Sequence, residues 1–352
     1  MLPGQSAISL ITPNHLQYRK QIAISKKMGG IGYSVFGAIG LIALGIHNLI
    51  TTIYAYLQPS NGSDSNYLAK PFHPYPTFPS PTHSPSAADH RKDTWWTIKQ
   101  RACPYLVVAW LAIAAFLQAL SAADPDLLVK GHNAVHRFSA LQSAAVLVLF
   151  LVIAIFLFIP TLDTRLFFAL LSAAFCLQSS TSFSSAFFQT SDLQGHLSSV
   201  SAFVSGFSSI YALALAVDPR LFAFEVGLWA SILLQGLWNL QTGLSLYVEL
   251  FIPNGCHRLL DVPAGVDGST KCDLEDSKLR AVALLNFILV LHVLLVFMIL
   301  IALYSFISKG TSSSVGSGPR SRVGSYEALP TSDSTSTINH SIQMKTLTGT
   351  QA

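Results

Sequence analysis

Long apolar runs constrain the fold of this chain more than any other feature of its sequence. A helix that crosses the hydrocarbon core of a bilayer needs about 20 mainly apolar residues. Seven stretches meet that requirement, at residues 29–57, 102–122, 133–159, 164–187, 194–216, 221–251 and 279–308. The chain is therefore predicted to be all-α, a polytopic membrane protein with a bundle of seven transmembrane helices.

The composition agrees with a lipid environment. Of 352 residues, 51% are hydrophobic and 11% are charged, and the mean hydropathy is +0.48. Soluble domains carry about 25% charged residues, so a water-soluble fold of this size would lack the polar surface that it needs. The net charge of +4 is scattered, without a dense Lys/Arg block, so we expect the lipid bilayer and no nucleic acid as a partner.

The apolar runs divide the chain into three parts. A polar N-terminal segment, residues 1–28, precedes the seven-helix domain, residues 29–308. The first apolar run is too long for the core of a signal peptide and is expected to remain as an anchor. Residues 309–352 are rich in Ser, Thr and Gly and are predicted to form a disordered tail.

The connection between the first two segments, residues 58–101, is rich in proline, Ser and Thr. Such a composition buries too little apolar surface to offset chain entropy, so the loop is predicted to be disordered. Its histidines fit no tetrahedral metal site and are expected to be solvated: His73, His83 and His90.

The side of the membrane that the tail occupies is only weakly indicated, because Lys and Arg are nearly balanced around the first segment. Tyr326-Glu327-Ala328-Leu329 has the form of a cytoplasmic sorting signal, and Arg322 precedes Ser325 at a spacing common in kinase sites. The sequon at Asn61 argues against a cytoplasmic tail. With seven spans, a cytoplasmic tail would place Asn61 in the cytoplasm as well, where it would not be glycosylated. We expect the tail to be cytoplasmic, in an endomembrane or plasma-membrane protein.

Four cysteines are too few for a disulfide framework. Cys103 and Cys176 lie at or inside apolar segments, where a thiol behaves as a small hydrophobe. Cys256 and Cys272 share one loop and are the plausible pair for a bridge, although the sequence leaves open whether they are bonded.

Polar side chains recur along segment six at helical spacing. Offsets of 0, 3, 7, 10 and 14 place five of them on one stripe, with Asn239 beside it: Gln235, Trp238, Thr242, Ser245 and Glu249. Because polar groups within a span usually face the bundle interior, this stripe is predicted to point inward. The candidate binding residues are taken from this stripe and from segment seven: Gln235, Trp238, Asn239, Thr242, Glu249 and His292.

Histidines near the spans offer a second candidate site. His136, His196 and His292 would form a metal site if their imidazoles converged, and bonding between helices is the favoured alternative. His132 and His136 have a zinc-compatible spacing but lack the Glu of metalloprotease helices. We find no nucleophile elbow and no phosphate-binding glycine loop, so no enzyme activity and no cofactor are predicted.

Segment six also carries a family resemblance. Its Gln235-Gly236-Leu237-Trp238, followed by Gln241-Thr242 and by Pro253-Asn254-Gly255-Cys256, resembles the plant branch of the transmembrane protein 45 family, the domain of unknown function 716. The resemblance extends over residues 29–308. Further residues resemble the family's histidine elements: Gly45-Ile46-His47, His136 with Ser139, His196 and His292.

The resemblance implies a seven-span membrane protein without an established activity, of a kind described in plants as virus-response-like. Relatives carry an acidic residue where this chain has Val135, and a histidine pair where it has Ser184 and Phe188. If the family's histidines form a site, this chain is depleted in it.

These observations favour a non-enzymatic multi-pass membrane protein. The first alternative is a small-solute or ion transporter that uses Gln235, Asn239, Glu249 and His292 along a pathway, although no inverted repeat supports it. The second is a metal-dependent intramembrane hydrolase built on the histidines His136, His196 and His292.

Overall fold

The computed structural model of the chain describes residues 13–57, 67–73, 87–123, 134–159, 163–188, 192–258 and 270–314. Its seven described helices are α1 (Pro13–Leu57), α2 (Ala87–Ala123), α3 (Ala134–Phe156), α4 (Thr164–Phe188), α5 (Asp192–Val217), α6 (Phe222–Tyr247) and α7 (Glu275–Ser314). Two short strands, β1 (Cys256–Arg258) and β2 (Thr270–Cys272), lie between α6 and α7. Residues 1–311 form one compact unit, and most of the second unit, residues 312–352, lies outside the described residues.

Six of these helices are long and apolar enough to cross a membrane, which agrees with an all-α membrane protein. Their apolar parts are Gly32–Leu57, Ala102–Leu120, Phe138–Phe156, Thr164–Phe187, Leu193–Val217 and Glu275–Lys309. The helix α6, predicted as a seventh span, is not among these six, and Glu225, Gln235 and Asn239 interrupt its apolar sequence. Polarity is tolerated there because α6 packs along both α1 and α5, so little of its surface needs to meet lipid.

The helices α1 and α6 run antiparallel and pack closely through small residues. Thr52 contacts Glu225 near the start of α6, and Gly45 lies against Leu233 about two turns deeper. Farther along, Gly243 of α6 lies against Ser34 of α1. Glycine allows two membrane helices to approach at their backbones, so α1 and α6 form a tight pair.

The interior is assembled from side chains of several helices. Leu49 of α1, Phe168 of α4, Leu215 of α5 and Leu228 of α6 are fully buried in one apolar cluster. The helix α7, in contrast, exposes large apolar side chains, including Phe287, Phe297 and Phe306. A soluble protein rarely exposes so extensive an apolar surface, whereas a surface in contact with lipid tails requires one.

The loop between the first two spans differs from its prediction. The helix α2 begins at Ala87, so residues 87–101 are helical, and residues 67–73 lie against the bundle. There the Ala69 N–H donates to the carbonyl of Pro219, in the α5–α6 turn, over 2.7 Å. The prediction of disorder is wrong for residues 67–73, where a few specific contacts outweigh the loop's average composition, and it also differs from the helix at residues 87–101. The proline-rich residues 74–86 lie outside the described residues.

The connection between α6 and α7 contains an unpredicted antiparallel hairpin. Strand β1 pairs with β2 in a register that places Cys256 opposite Cys272, and the two cysteines form a disulfide. Gly255 precedes the first strand with φ of +86°, a backbone conformation that L side chains rarely adopt. The open question about this cysteine pair is thus answered in favour of the bond.

Candidate functional site

A glutamate that lies inside the bundle is the centre of the most polar buried cluster in the described structure. Glu225, in the first turn of α6, is 0% exposed. The free N–H groups at the start of a helix give that end a partial positive charge, which favours an acidic side chain. Burial of a carboxylate is nevertheless costly unless hydrogen-bond donors surround it.

Three donors from two other segments meet this carboxylate. The Thr52 hydroxyl of α1 donates to Oε1 over 3.1 Å, and Nε2 of His73 lies 2.9 Å from the same oxygen. The hydroxyl of Tyr67 donates to Oε2. A carboxylate oxygen accepts hydrogen bonds, and an imidazole N–H, like a hydroxyl, can donate one to it.

Aromatic rings enclose the cluster on the side of the loop. The ring of Tyr56 stacks on Phe222 with centroids 3.9 Å apart, and Tyr67 meets Phe222 edge to face at 5.4 Å. Tyr67 also stacks beside His73 at 5.9 Å. These rings keep water away from the hydrogen bonds, which strengthens electrostatic interactions within the cluster.

The Tyr67 phenol is strongly affected by its surroundings. Burial is the main cause that raises the pKa of Tyr67 above its ordinary value of 10.0, and the adjacent Glu225 adds to the rise through its charge and its hydrogen bond. Both causes disfavour a second negative charge beside the carboxylate. Tyr67 therefore stays protonated and remains a donor.

The cluster holds residues 67–73 against the end of the bundle. We refer to Thr52, Tyr67, His73 and Glu225 as the Glu225 cluster. The prediction that His73 is solvated is wrong, because it is 7% exposed and bonded to a buried acid. The sequence patterns did not single out Glu225, although it and Glu249 are the two acidic residues of the predicted segment 221–251.

The polar stripe of segment six lies next to α5. Gln235, 8% exposed, donates from Nε2 to Ser201 over 2.6 Å and to Oδ1 of Asn239 over 3.3 Å. Its Oε1 accepts a bond from the hydroxyl of Ser205. Gln235 thus links α5 to α6, and its polar atoms are occupied by protein partners.

The remaining stripe residues have different environments. Trp238 is fully buried and donates from its indole N–H to the Leu197 carbonyl over 3.0 Å. The Thr242 hydroxyl bonds back to the Trp238 carbonyl. The prediction that Glu249 belongs to the stripe is wrong, because α6 ends at Tyr247 and Glu249 is exposed in a short 3-10 turn.

The candidate metal-binding histidines occupy separate contacts. His196 of α5 bonds through Nε2 to Oδ1 of Asn286 in α7 over 2.9 Å. The ring of His292 meets Trp238 edge to face at 6.5 Å. The side chain of His136 lies outside the described ones. Within the described part of the chain, no three His, Cys, Asp or Glu side chains are grouped as a metal site would require.

Serines form further bonds between α4, α5 and α6. Ser172 and Ser209 donate to each other's carbonyl oxygens over 2.9 Å. Ser208, on another face of α5, lies 2.7 Å from the hydroxyl of Ser231 on α6. Hydroxyl groups can hold membrane helices together in this way, so the three helices form a hydrogen-bonded unit that sequence patterns did not reveal.

Comparison with known families gives a match over part of the chain. Residues 164–305, from the start of α4 into α7, match the model of a family of unknown function (DUF716). Neither a curated protein nor a solved structure matches the chain. Because the transmembrane protein 45 family is the DUF716 family, the resemblance predicted from the sequence is confirmed over residues 164–305.

Proposed function

We propose that this chain is a non-enzymatic integral membrane protein in which all seven helices cross the bilayer and the Glu225 cluster fixes the loop at their cytosolic end. Its role in this proposal is that of a membrane scaffold that presents a loop and a tail to the cytosol. The observation that carries it is the arrangement of α5, α6 and α7.

The direction of the neighbouring helices supports a seventh crossing. His196, in the second turn of α5, contacts Asn286, in the first third of α7. Leu193 and Leu197 of α5 also share an apolar cluster with Ala281 and Leu285 of α7, so the first parts of the two helices lie together, as in spans that run in the same direction. The chain must then return across the bilayer between them. The helix α6 has 26 residues, a length of about 39 Å that exceeds the hydrocarbon thickness of about 30 Å.

The disulfide supports an orientation. Disulfides persist in oxidising compartments and are rare in the cytosol, so the bond between Cys256 and Cys272 favours a lumenal or extracellular hairpin. With α7 as the last crossing, residues 315–352 are then cytosolic. Residues 67–73, at the opposite end of α6, are cytosolic as well, and Asn61 carries no N-linked glycan.

The occupied polar groups favour a scaffold over a pathway for solutes. Gln235, Trp238 and His196 bond to neighbouring helices, as expected of groups that hold helices together. A cleft of about 270 Å³ between α1, α6 and α7 is lined mainly by apolar side chains such as Ile53 and Leu300. Such a lining suits a hydrocarbon chain better than an ion.

Labelling of single cysteines tests both the seventh crossing and the orientation. In a protein with Cys103→Ala and Cys176→Ala, the exposed residues Lys70 and Asp276 are replaced by cysteine one at a time. A membrane-impermeant maleimide added to sealed membranes whose lumenal or extracellular face is turned outward is expected to label Asp276→Cys directly. It is expected to label Lys70→Cys only after permeabilisation.

Each other pattern contradicts a defined part of the proposal. Labelling of both positions from the same side would show that α6 does not cross. A reversed pattern would keep seven crossings but exchange the two sides. Release of the protein from membranes by alkaline carbonate would reject integration altogether.

A further inference from the structure

Two buried polar atoms near the Glu225 cluster have no hydrogen-bond partner among the described residues. They are Oδ1 of Asn48, in α1, and Nε1 of Trp229, in α6. Asn48 is 1% exposed and Trp229 is 4% exposed. The amide nitrogen of Asn48 donates to the Leu44 carbonyl over 3.0 Å, so the nitrogen of this side chain is hydrogen-bonded while its oxygen is not.

The helix register places these two residues at the same level of the α1/α6 interface. Asn48 precedes Thr52 by four residues, and Trp229 follows Glu225 by four residues. Residues four apart share a face of a helix, and Thr52 contacts Glu225 directly. Because α1 and α6 are antiparallel, Asn48 and Trp229 both lie one turn deeper in the bundle than the Glu225 cluster.

Their chemistry is complementary. The indole N–H of tryptophan can only donate a hydrogen bond, and the amide oxygen of asparagine can only accept one. Buried groups of this kind are almost always paired with protein or with ordered water. A single molecule that both accepts and donates would satisfy both atoms, and water is the smallest molecule that does so.

We propose that the α1/α6 interface binds one internal water molecule, which accepts a hydrogen bond from Trp229 and donates one to Asn48. An internal water typically makes about three hydrogen bonds. The hydroxyl of Thr52 donates its proton to Glu225, and its oxygen, on the same face of α1, can accept the second proton of the water.

This site connects the interior of the bundle to the buried acid. The water, the Thr52 hydroxyl and the Glu225 carboxylate form a chain of hydrogen bonds that begins one turn inside the bundle. The inference goes beyond the scaffold role, since it depends on the α1/α6 packing and not on which side of the membrane the cluster faces.

Radiolytic labelling in ¹⁸O-water tests the proposal with an internal control. X-ray irradiation activates bound water, which then oxidises the side chain beside it. Trp229 is expected to take up ¹⁸O several-fold faster than Trp238, a buried tryptophan of the same helix whose N–H is bonded to protein. Equal protection of the two tryptophans would overturn the proposal.

A variant identifies the source of the label. Asn48→Leu removes the acceptor, so the labelling of Trp229 is expected to fall to the level of Trp238. Unchanged labelling in Asn48→Leu would mean that the oxidant reaches Trp229 from outside the bundle, which would overturn the proposal.

Thermal unfolding in detergent provides a second measurement, which does not depend on ¹⁸O labelling. Trp229→Phe and Trp238→Phe both remove a buried indole N–H and are expected to lower Tm by similar amounts, because both groups have a partner. If Trp229→Phe leaves Tm unchanged or raises it, the N–H has no partner and the interface is dry.

Discussion

At the scale of single residues, the carboxylate of Glu225 accepts bonds from groups that are distant in the sequence. Thr52, Tyr67 and His73 precede it by 173, 158 and 152 residues. Each of the three contacts a carboxyl oxygen of Glu225, so the cluster depends on the two acceptor atoms that Glu225 supplies. Removal of one acceptor or donor from such a buried set leaves its partners unsatisfied.

Glu225→Gln should destabilise the protein more than any exposed Glu→Gln change. The amide turns an N–H group toward donors that need an acceptor, and we expect a loss of about 2–4 kcal/mol in the free energy of unfolding. Chemical denaturation in detergent measures it. The matched control is Glu275→Gln, an exposed carboxylate paired with Lys278, for which the expected loss is below about 1 kcal/mol. Equal losses would contradict the role assigned to Glu225.

Tyr67 should make the stability depend on alkaline pH. Its pKa is raised above 10.0 in the folded protein by burial and by Glu225. Its contribution to stability is therefore complete below pH 10 and declines as the pH rises toward the folded-state pKa. We expect stability to fall above pH 10, and Tyr67→Phe to remove part of that decline. An identical pH profile in the variant would show that the phenol does not titrate in this way.

Sequence patterns predicted some residues of the interior and missed others for a physical reason. The burial of Gln235 and Trp238 follows from their spacing along one helix, which is local information. The burial of Glu225 and His73 depends on contacts between segments that no local pattern records. Glu249 matched the helical spacing, but it follows the end of α6 at Tyr247.

At the scale of helices, α1 and α6 approach at glycines. A Cβ added at Gly45 would lie 2.9 Å from the Cβ of Leu233 and 3.0 Å from its backbone nitrogen. One added at Gly236 would lie 2.9 Å from the backbone nitrogen of Ile42. Backbone atoms cannot move aside as the end of a side chain does, so a larger residue must separate the helices.

Gly236→Ala should therefore weaken the α1/α6 pair. We expect a loss of about 1–3 kcal/mol from overpacking, measured as a lower Tm in detergent. Gly37→Ala is the control within α1, because nothing lies within 4 Å of a Cβ at that position. Helix propensity alone would make Gly37→Ala neutral or stabilising, because alanine favours a helix more than glycine does. A loss of stability in Gly37→Ala as large as that in Gly236→Ala would therefore contradict the role of the α1/α6 packing.

At the scale of the whole molecule, the oxidation state of each cysteine reflects the environment of its part of the chain. Cys256 and Cys272 are bonded, while Cys103 and Cys176 are free thiols. The bond closes a loop across a sequence separation of 16 residues, and a loop of that size is stabilised by about 3 kcal/mol on the chain-entropy account. It thus restrains the connection that joins α6 to α7.

Mass tagging of thiols with a maleimide polymer should detect this difference. In denatured protein prepared without reductant, two cysteines are expected to react, and after reduction all four of the chain. The paired variant Cys256→Ser with Cys272→Ser should show two tags under both conditions. Four tags before reduction would indicate that the hairpin forms in a reducing compartment and would remove the support for the proposed orientation.

The general architecture was predictable because the length and hydropathy of a span are local properties of the sequence. Six predicted segments correspond to helices that meet the requirement for a membrane span. The fold around α6 was less predictable, because a helix enclosed by α1 and α5 can carry polar residues at many positions. The hairpin escaped prediction since its strands have three residues each.

The bond from Ala69 to Pro219 also changes how the first connection tolerates variation in length. Because residues 67–73 are fixed to the bundle, the connection between Leu57 and Ala87 is divided into two shorter connections, residues 58–66 and 74–86. Insertions or deletions in residues 74–86 then change the length of that connection alone and leave the connection of residues 58–66 unchanged. This part of the chain is thus the place where a tag or a reporter domain can be inserted while the helices keep their packing.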